Sequence, residues 1–244
     1  MTATLNPPPS AVLRFDPETR LKDYSESLSY YLTLPNTHFD RIVFADNSDS
    51  DLTPLLELAE RENKDKHVQL LSFQANDHSP ALGKAYGEFR ILDTVMDTPT
   101  CLQPNDHVWK TTGRLRCLNI VEIDSAVSNK TGFVCDLYNL PFIRSGRWSD
   151  RGTIDLRLFR FQPSIYARYI RTTPRRGADT FDEKFLYRLI LEMRKTSNVR
   201  PRFPIQPLVA GVSGRTERDY LSVSQRWKDA IRSVTRRAAP WLWL

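Results

Sequence analysis

The sequence predicts an α/β domain: a mainly parallel sheet flanked by helices, followed by a basic amphipathic C-terminal helix. Three observations lead there. Short apolar runs alternate with stretches whose apolar residues recur at helical spacing, which is the βαβ pattern. Two of those runs end in polar loops, Asp46-Asn47-Ser48 and Lys110-Thr111-Thr112-Gly113-Arg114. Such loops put carboxylate, hydroxyl and cationic groups where open α/β sheets bind ligands, beyond the carboxyl ends of the strands. Finally, 244 residues with 40% hydrophobic content suffice for one substantial core, with no fibrous or disordered bias across the body of the chain.

The elements follow in order. Residues 1–10, with Pro7-Pro8-Pro9, read as a flexible lead-in. Ala11 to Phe15 suits a first strand. Asp16-Pro17-Glu18-Thr19 starts a helix carrying Leu21, Tyr24, Leu28 and Tyr31, which Pro35 stops. Arg41 to Ala45 is a second strand. Thr53 as N-cap and Pro54 at the first position open a second helix. His67 to Phe73 is a third strand, Leu82 to Met96 a third helix, and Val108 to Lys110 the end of a fourth strand. Gly132 to Tyr138 and Thr153 to Phe159 look like further strands, and Pro163 to Ile170 like a short helix. Asp182 to Arg194 carries Phe185, Leu186, Leu189, Ile190 and Met193 on one helical face. A Pro/Gly-rich loop with one short strand spans 201–214, and 215–237 forms the last helix. This gives one domain over 11–210 and a helix and tail over 211–244.

The net charge of +6 favours anionic partners, among them nucleic acid, an acidic membrane surface and a sugar diphosphate. The three cysteines, Cys101, Cys117 and Cys135, lack CxxC spacing and read as buried free thiols. The four histidines are scattered, which argues against zinc. No secretory signal and no apolar run of spanning length is visible, so the expected location is the cytoplasm, including the inner face of a membrane.

Each polar group carries a bland reading beside a functional one. Asp46, Asn47 and Ser48 suit a simple turn, or Asp46 accepts hydrogen bonds from a base or ribose. Within Gly83-Lys84-Ala85-Tyr86-Gly87-Glu88, Lys84 and Glu88 form an exposed i,i+4 pair, or the helix start and Lys84 take an anion. Lys110, Thr112 and Arg114 form an exposed basic turn, or their cations neutralise a diphosphate. Asp182 and Glu183 satisfy the helix dipole, or one is a general base. Asp155 and Arg157 share one face of a predicted strand, as a charged edge or as an acceptor or metal site.

Read in order, these segments resemble a bacterial GT-A-type glycosyltransferase family of capsule and lipopolysaccharide assembly. The resemblance runs from about Arg14 to Arg194 through Arg20, Leu28-Ser29-Tyr30-Tyr31, Ile42 to Ser48, Gly83 to Glu88, Lys110 to Arg114, Ile154 to Phe159 and Glu183. It implies a Rossmann-like GT-A fold, a nucleotide diphosphate sugar donor and a glycan or lipid-linked acceptor. It places Asp46 at the nucleotide, Lys84 or Arg90 on the following helix, and Glu183, with Asp182, at the base position. Where the family has a DxD metal motif, this chain has Lys110-Thr111-Thr112-Gly113-Arg114. The resemblance therefore implies transfer without a DxD-bound metal, Lys110 and Arg114 meeting the leaving pyrophosphate in a site shared with Asp46; otherwise Asp155 holds Mg²⁺ or Mn²⁺.

The last helix places Tyr220, Val223, Trp227, Ile231 and Val234 on one stripe flanked by Arg232, Arg236 and Arg237, before Trp241 and Trp243. It suits an anionic membrane surface or a face docked on the protein's own core. A competing reading as a nucleic-acid-binding protein rests on the charge and on Arg168, Arg171, Arg175 and Arg176. It lacks any RRM, KH, zinc-finger or helix-turn-helix signature.

Overall fold

Thr2 and Ala3, inside the expected lead-in, form the first strand and are buried. The computed structural model describes residues 1–8, 12–78, 82–139, 152–173, 182–214 and 216–239, with the side chains of Gly83 and Lys84 outside that description. In chain order the strands are β1 (Thr2–Ala3), β2 (Arg41–Asp46), β3 (His67–Ser72), β4 (Val108–Thr111), β5 (Arg116–Cys117) and β6 (Phe133–Val134). They continue with β7 (Leu137–Asn139), β8 (Gly152–Ile154), β9 (Leu158–Phe161), β10 (Val199–Arg200) and β11 (Val209–Ala210). The helices are α1 (Pro17–Leu32), α2 (Thr53–Glu62), α3 (Gly83–Asp97), α4 (Ile120–Ala126), α5 (Pro163–Ile165), α6 (Glu183–Thr196) and α7 (Val223–Ala238). A π-helical turn, Tyr166–Arg171, extends α5.

β1, β2 and β3 form a three-stranded parallel sheet with β2 central. A second sheet has the order β10-β6-β9-β4, in which β9 is antiparallel to both its neighbours. A parallel bridge between Thr2 and Thr112 links the two sheets. Across that bridge the strands follow one another as β3-β2-β1-β4-β9-β6-β10, with β9 alone reversed. The expectation of a mainly parallel sheet holds for the first half of the chain. The second half adds antiparallel pairs, β7 with β8 and β5 with β11.

Alternation along the strands feeds three apolar clusters among the described residues, two of them large. Phe44, Val134 and Leu158 pack with Leu28, Leu55 and Ile123 from α1, α2 and α4. Phe133, Phe159 and Phe161 pack with Phe89, Leu186 and Ile190 from α3 and α6. Each such fully buried side chain contributes about 1.5–3 kcal/mol.

Local signals account for most helix starts. Asp16 caps α1 by accepting from the Thr19 N–H at 2.8 Å, with Pro17 in the first turn. In α2 the expected cap is corrected: Leu52 takes the cap position, and Asp51 accepts from the Thr53 N–H at 2.8 Å. Residues 12–15 carry no strand, and Leu13 and Phe15 are exposed. The flexible lead-in is corrected too. Thr2, Ala3 and Leu5 are buried, and buried Arg20 of α1 donates to the Thr4 carbonyl, fixing the chain as it leaves β1.

Candidate functional site

The strand order reverses between β1 and β4, the place where open α/β sheets form a crevice beyond the carboxyl ends. The sequence puts Lys110 next to last on β4, so its ammonium reaches that edge. It lies 2.7 Å from Glu88 Oε2 of α3 and donates to the Leu156 carbonyl at 2.5 Å and to Thr112 Oγ1 at 3.4 Å. Thr2 Oγ1 donates to the same Glu88 oxygen at 2.9 Å. The Lys110 side chain is 1% exposed, so this cation is a buried, paired group and not the exposed basic turn of the first reading.

Beside it, the Thr112 N–H donates to the Arg157 carbonyl at 2.9 Å. Arg157 and Asp155 do not share a strand face, which corrects the expectation. They occupy the bend between β8 and β9, where Asp155 accepts the Arg157 N–H at 2.9 Å and its guanidinium Nη2 at 2.6 Å. An aspartate accepting from the backbone two residues on makes a turn and breaks the ladder. Tyr138 donates its hydroxyl to Asp155 at 3.3 Å, and the Tyr220 ring lies 4.8 Å from the Arg157 guanidinium carbon. Burial works against the Arg157 cation, but the charge and hydrogen bonds of Asp155 outweigh it and hold the pKa well above the ordinary value. Thus Glu88, Lys110, Thr112, Asp155 and Arg157 are brought to one edge.

No protein-family model matches this chain, and no curated protein matches it.

Other expected residues lie elsewhere or are committed to structure. Asp46 is fully buried and accepts from the N–H groups of Leu5, Ser48 and Ser50 at 2.7, 3.0 and 3.3 Å, and from the Ser48 hydroxyl. Asn47 accepts from Thr4 Oγ1 at 2.6 Å. Asp46, Asn47 and Ser48 thus knot the β2 exit to the β1 exit, and the turn reading prevails. Arg114 turns toward the C-terminal segment, its Nε donating to the Val212 carbonyl at 3.2 Å and its guanidinium filling the space over Gly214. A cavity of about 220 Å³ touches Lys110, Met1, Val43 and Trp109, but neither Asp46 nor Arg114. It opens at the amino ends of β2 and β4, so the expected cavity shared by Asp46, Lys110 and Arg114 is corrected.

Asp182 is the N-cap of α6, accepting the Phe185 N–H at 2.7 Å, and Glu183 lies in the first turn. Neither has a described contact with the cluster. The Lys84 side chain lies outside the described residues; Glu88 pairs with Lys110 across the fold. Arg90 pairs with Asp77 at 2.8 Å. Among the described residues, no group of three or more His, Cys, Asp or Glu side chains is placed to hold a metal ion. The cysteines are free and buried. On the surface expected to take nucleic acid, Arg171 is paired with Asp97 at 2.5 Å, while Arg175 and Arg176 lie outside the described residues.

The C-terminal helix brings further corrections. Arg236 is buried, with Nη2 2.8 Å from Asp136 Oδ2 and Nη1 donating to the Phe203 carbonyl at 2.7 Å. Arg232 pairs with Asp229 and lies over the Tyr138 ring. Neither is a free membrane contact. Trp227 and Arg237 are exposed, while Trp241 and Trp243 lie outside the described residues. Sequence reading missed Asp136, Tyr138 and Tyr220 as partners of the site and of α7. The signal was present in the 3–4-residue spacing of Gln225, Asp229, Arg232 and Arg236, a polar stripe opposite the apolar one.

Proposed function

We propose that this protein is a GT-A-like glycosyltransferase that moves a sugar from a nucleotide diphosphate sugar to a hydroxyl of a glycan or lipid-linked acceptor. The observation that supports this reading is the gathering of Glu88, Lys110 and Thr112 with Asp155 and Arg157 where the strand order reverses. Strands running the same way on both sides of that reversal accord with it.

The roles differ from those the sequence implied. Arg157, with its side chain 22% exposed against 1% for Lys110, becomes the cation that meets the pyrophosphate. Lys110, buried and paired with Glu88, donates to Thr112 and helps to fix it. Asp46 shapes the loop between β2 and α2 and does not itself touch the nucleotide. In the transfer step the acceptor oxygen bonds to the anomeric carbon as the bond to the diphosphate oxygen breaks. The acceptor proton passes to a carboxylate, Asp155 or Glu183. Planar guanidinium donors suit the charge that develops on the departing diphosphate.

A thermal-shift screen with UDP-glucose, UDP-galactose, GDP-mannose and dTDP-rhamnose, with and without Mg²⁺ or Mn²⁺, tests the reading. A true donor near 100 times its Kd should stabilise the fold by about 2.7 kcal/mol. Arg157→Ala should abolish that shift while leaving the circular-dichroism spectrum intact. If no nucleotide sugar moves Tm under any metal condition, or if Arg157→Ala binds as tightly as the parent, the assignment falls.

A further inference from the structure

α7 is docked inside out. Its inward face is polar: Gln225 and Arg236 are buried, and Asp229 and Arg232 are largely covered. Arg236 anchors the helix through a two-pronged pair with Asp136, at 2.9 and 2.8 Å, and a bond to Gln206 Oε1 at 2.7 Å. The opposite face presents Val223, Trp227, Ile231 and Val234 to solvent, with relative exposures of 72, 68, 55 and 67%. At 100° per residue these four fall within one quadrant of the helix, roughly opposite the buried polar stripe. A row of large apolar side chains is a surface awaiting cover.

Charge decides what covers it. Arg226 and Arg237 are exposed along one edge of the stripe and Lys228 along the other, in a protein of net charge +6. Another copy of the same chain would bring these cations against like charge. An apolar row containing a Trp, edged by cations, matches the interface of an anionic bilayer, where rings and aliphatic groups enter the acyl boundary and cations meet headgroup phosphates. Among the described residues no helix is long and apolar enough to cross a membrane, so the contact is with the surface.

We infer that the outward face of α7 is a docking surface for anionic lipid bilayer, with Trp227 and Ile231 as its apolar anchors and Arg226, Lys228 and Arg237 as its headgroup contacts. The same helix reaches the candidate site from behind. Arg232 lies 5.1 Å from the centroid of the Tyr138 ring, whose hydroxyl meets Asp155. Docking would therefore set the site at a fixed distance from the lipid surface. The inference stands independently of the proposed chemistry.

Co-sedimentation of the full chain with vesicles tests it, using phosphatidylcholine alone or with about one-third phosphatidylglycerol. The protein should pellet with the anionic vesicles, stay in solution with the neutral ones, and be released by raised salt. Trp227→Ser with Ile231→Ser, and separately Arg226→Glu with Lys228→Glu, should each weaken binding about tenfold or more. Unchanged Tm in both double variants, as expected for exposed positions, separates lost binding from lost folding. The inference is overturned if the parent ignores both vesicles, or if the variants bind as well as the parent. It is equally overturned if the stripe is covered by self-association, seen as a dimer that Trp227→Ser dissolves without any vesicle binding.

Discussion

α6 and α7 are near equals in length, 14 and 16 residues, and each carries one apolar and one polar face. They dock with opposite faces. α6 turns Leu186, Tyr187, Ile190 and Met193 into the cluster beneath β8 and β9, and leaves Glu192, Arg194 and Lys195 in water. α7 turns Arg236 and Gln225 inward and leaves its apolar row outside. The difference lies in what each helix meets. α6 lies over phenylalanines from the strands, whereas α7 lies over Asp136, whose carboxylate sits where the chain leaves β6 and is 2% exposed. A buried carboxylate demands a cation, and of the two faces of α7 the polar one supplies it through Arg236. Helical periodicity therefore says that a face exists, and the receiving surface decides which face is used.

The contrast can be broken most sharply at Asp136. Asp136→Ala leaves the Arg236 guanidinium buried without its carboxylate and should cost about 3–5 kcal/mol in urea unfolding. It should also release α7 to limited proteolysis, whereas a loss under about 1 kcal/mol would show that packing elsewhere holds the helix. In α6 the matching test is Ile190→Ala, where cavity formation should cost about 2–5 kcal/mol and leave α7 protected. The helix starts sharpen the comparison further. Asp182→Ala removes the α6 cap and should cost about 1 kcal/mol. Ser222→Ala should have almost no effect, because Ser222 makes no side-chain cap bond. Trp227→Ser should likewise change stability by no more than about 0.5 kcal/mol. A larger loss would mean that the apolar row of α7 is covered by its own chain.

The same contrast explains what was legible in the sequence. α1, β2, β3 and α6 are legible nearly to their ends, because each has a strong period or a clear start or stop, as at Asp16-Pro17, Pro35 and Asp182. β1 leaves no mark in the sequence because a two-residue strand has no period, and the following prolines suggest an extended tail. The two long apolar runs after residue 130 suggest unbroken strands. Asp136, claimed by the Phe203 N–H and Arg236, and Asp155, claimed by the Arg157 N–H, interrupt them. These are long-range or turn-forming bonds that alternation does not reveal. The candidate site was legible as a set of residue types and not as partnerships. The fold pairs Glu88 with Lys110 from another element, a partner that helical spacing cannot reveal. The sequence offers both a turn and a ligand for Asp46, and backbone N–H groups close at hand take that carboxylate.

The shortness of β1 has a consequence for acid tolerance. In protein whose first residue is Met1, the terminal amine is buried and donates to the Val43 carbonyl at 2.6 Å, one ladder step below Ala45. Burial, reinforced by the charge of Lys110 and opposed by Glu88, pushes its pKa down from 8.0 to about 5. Below pH 8 the unfolded chain accepts a proton there that the native chain refuses. Stability should therefore decline as pH falls from 8 to 5, by about 1.4 kcal/mol per unit at most, and level off below. Acetylating that nitrogen should flatten this part of the profile, turning a proton-linked seam into an ordinary one.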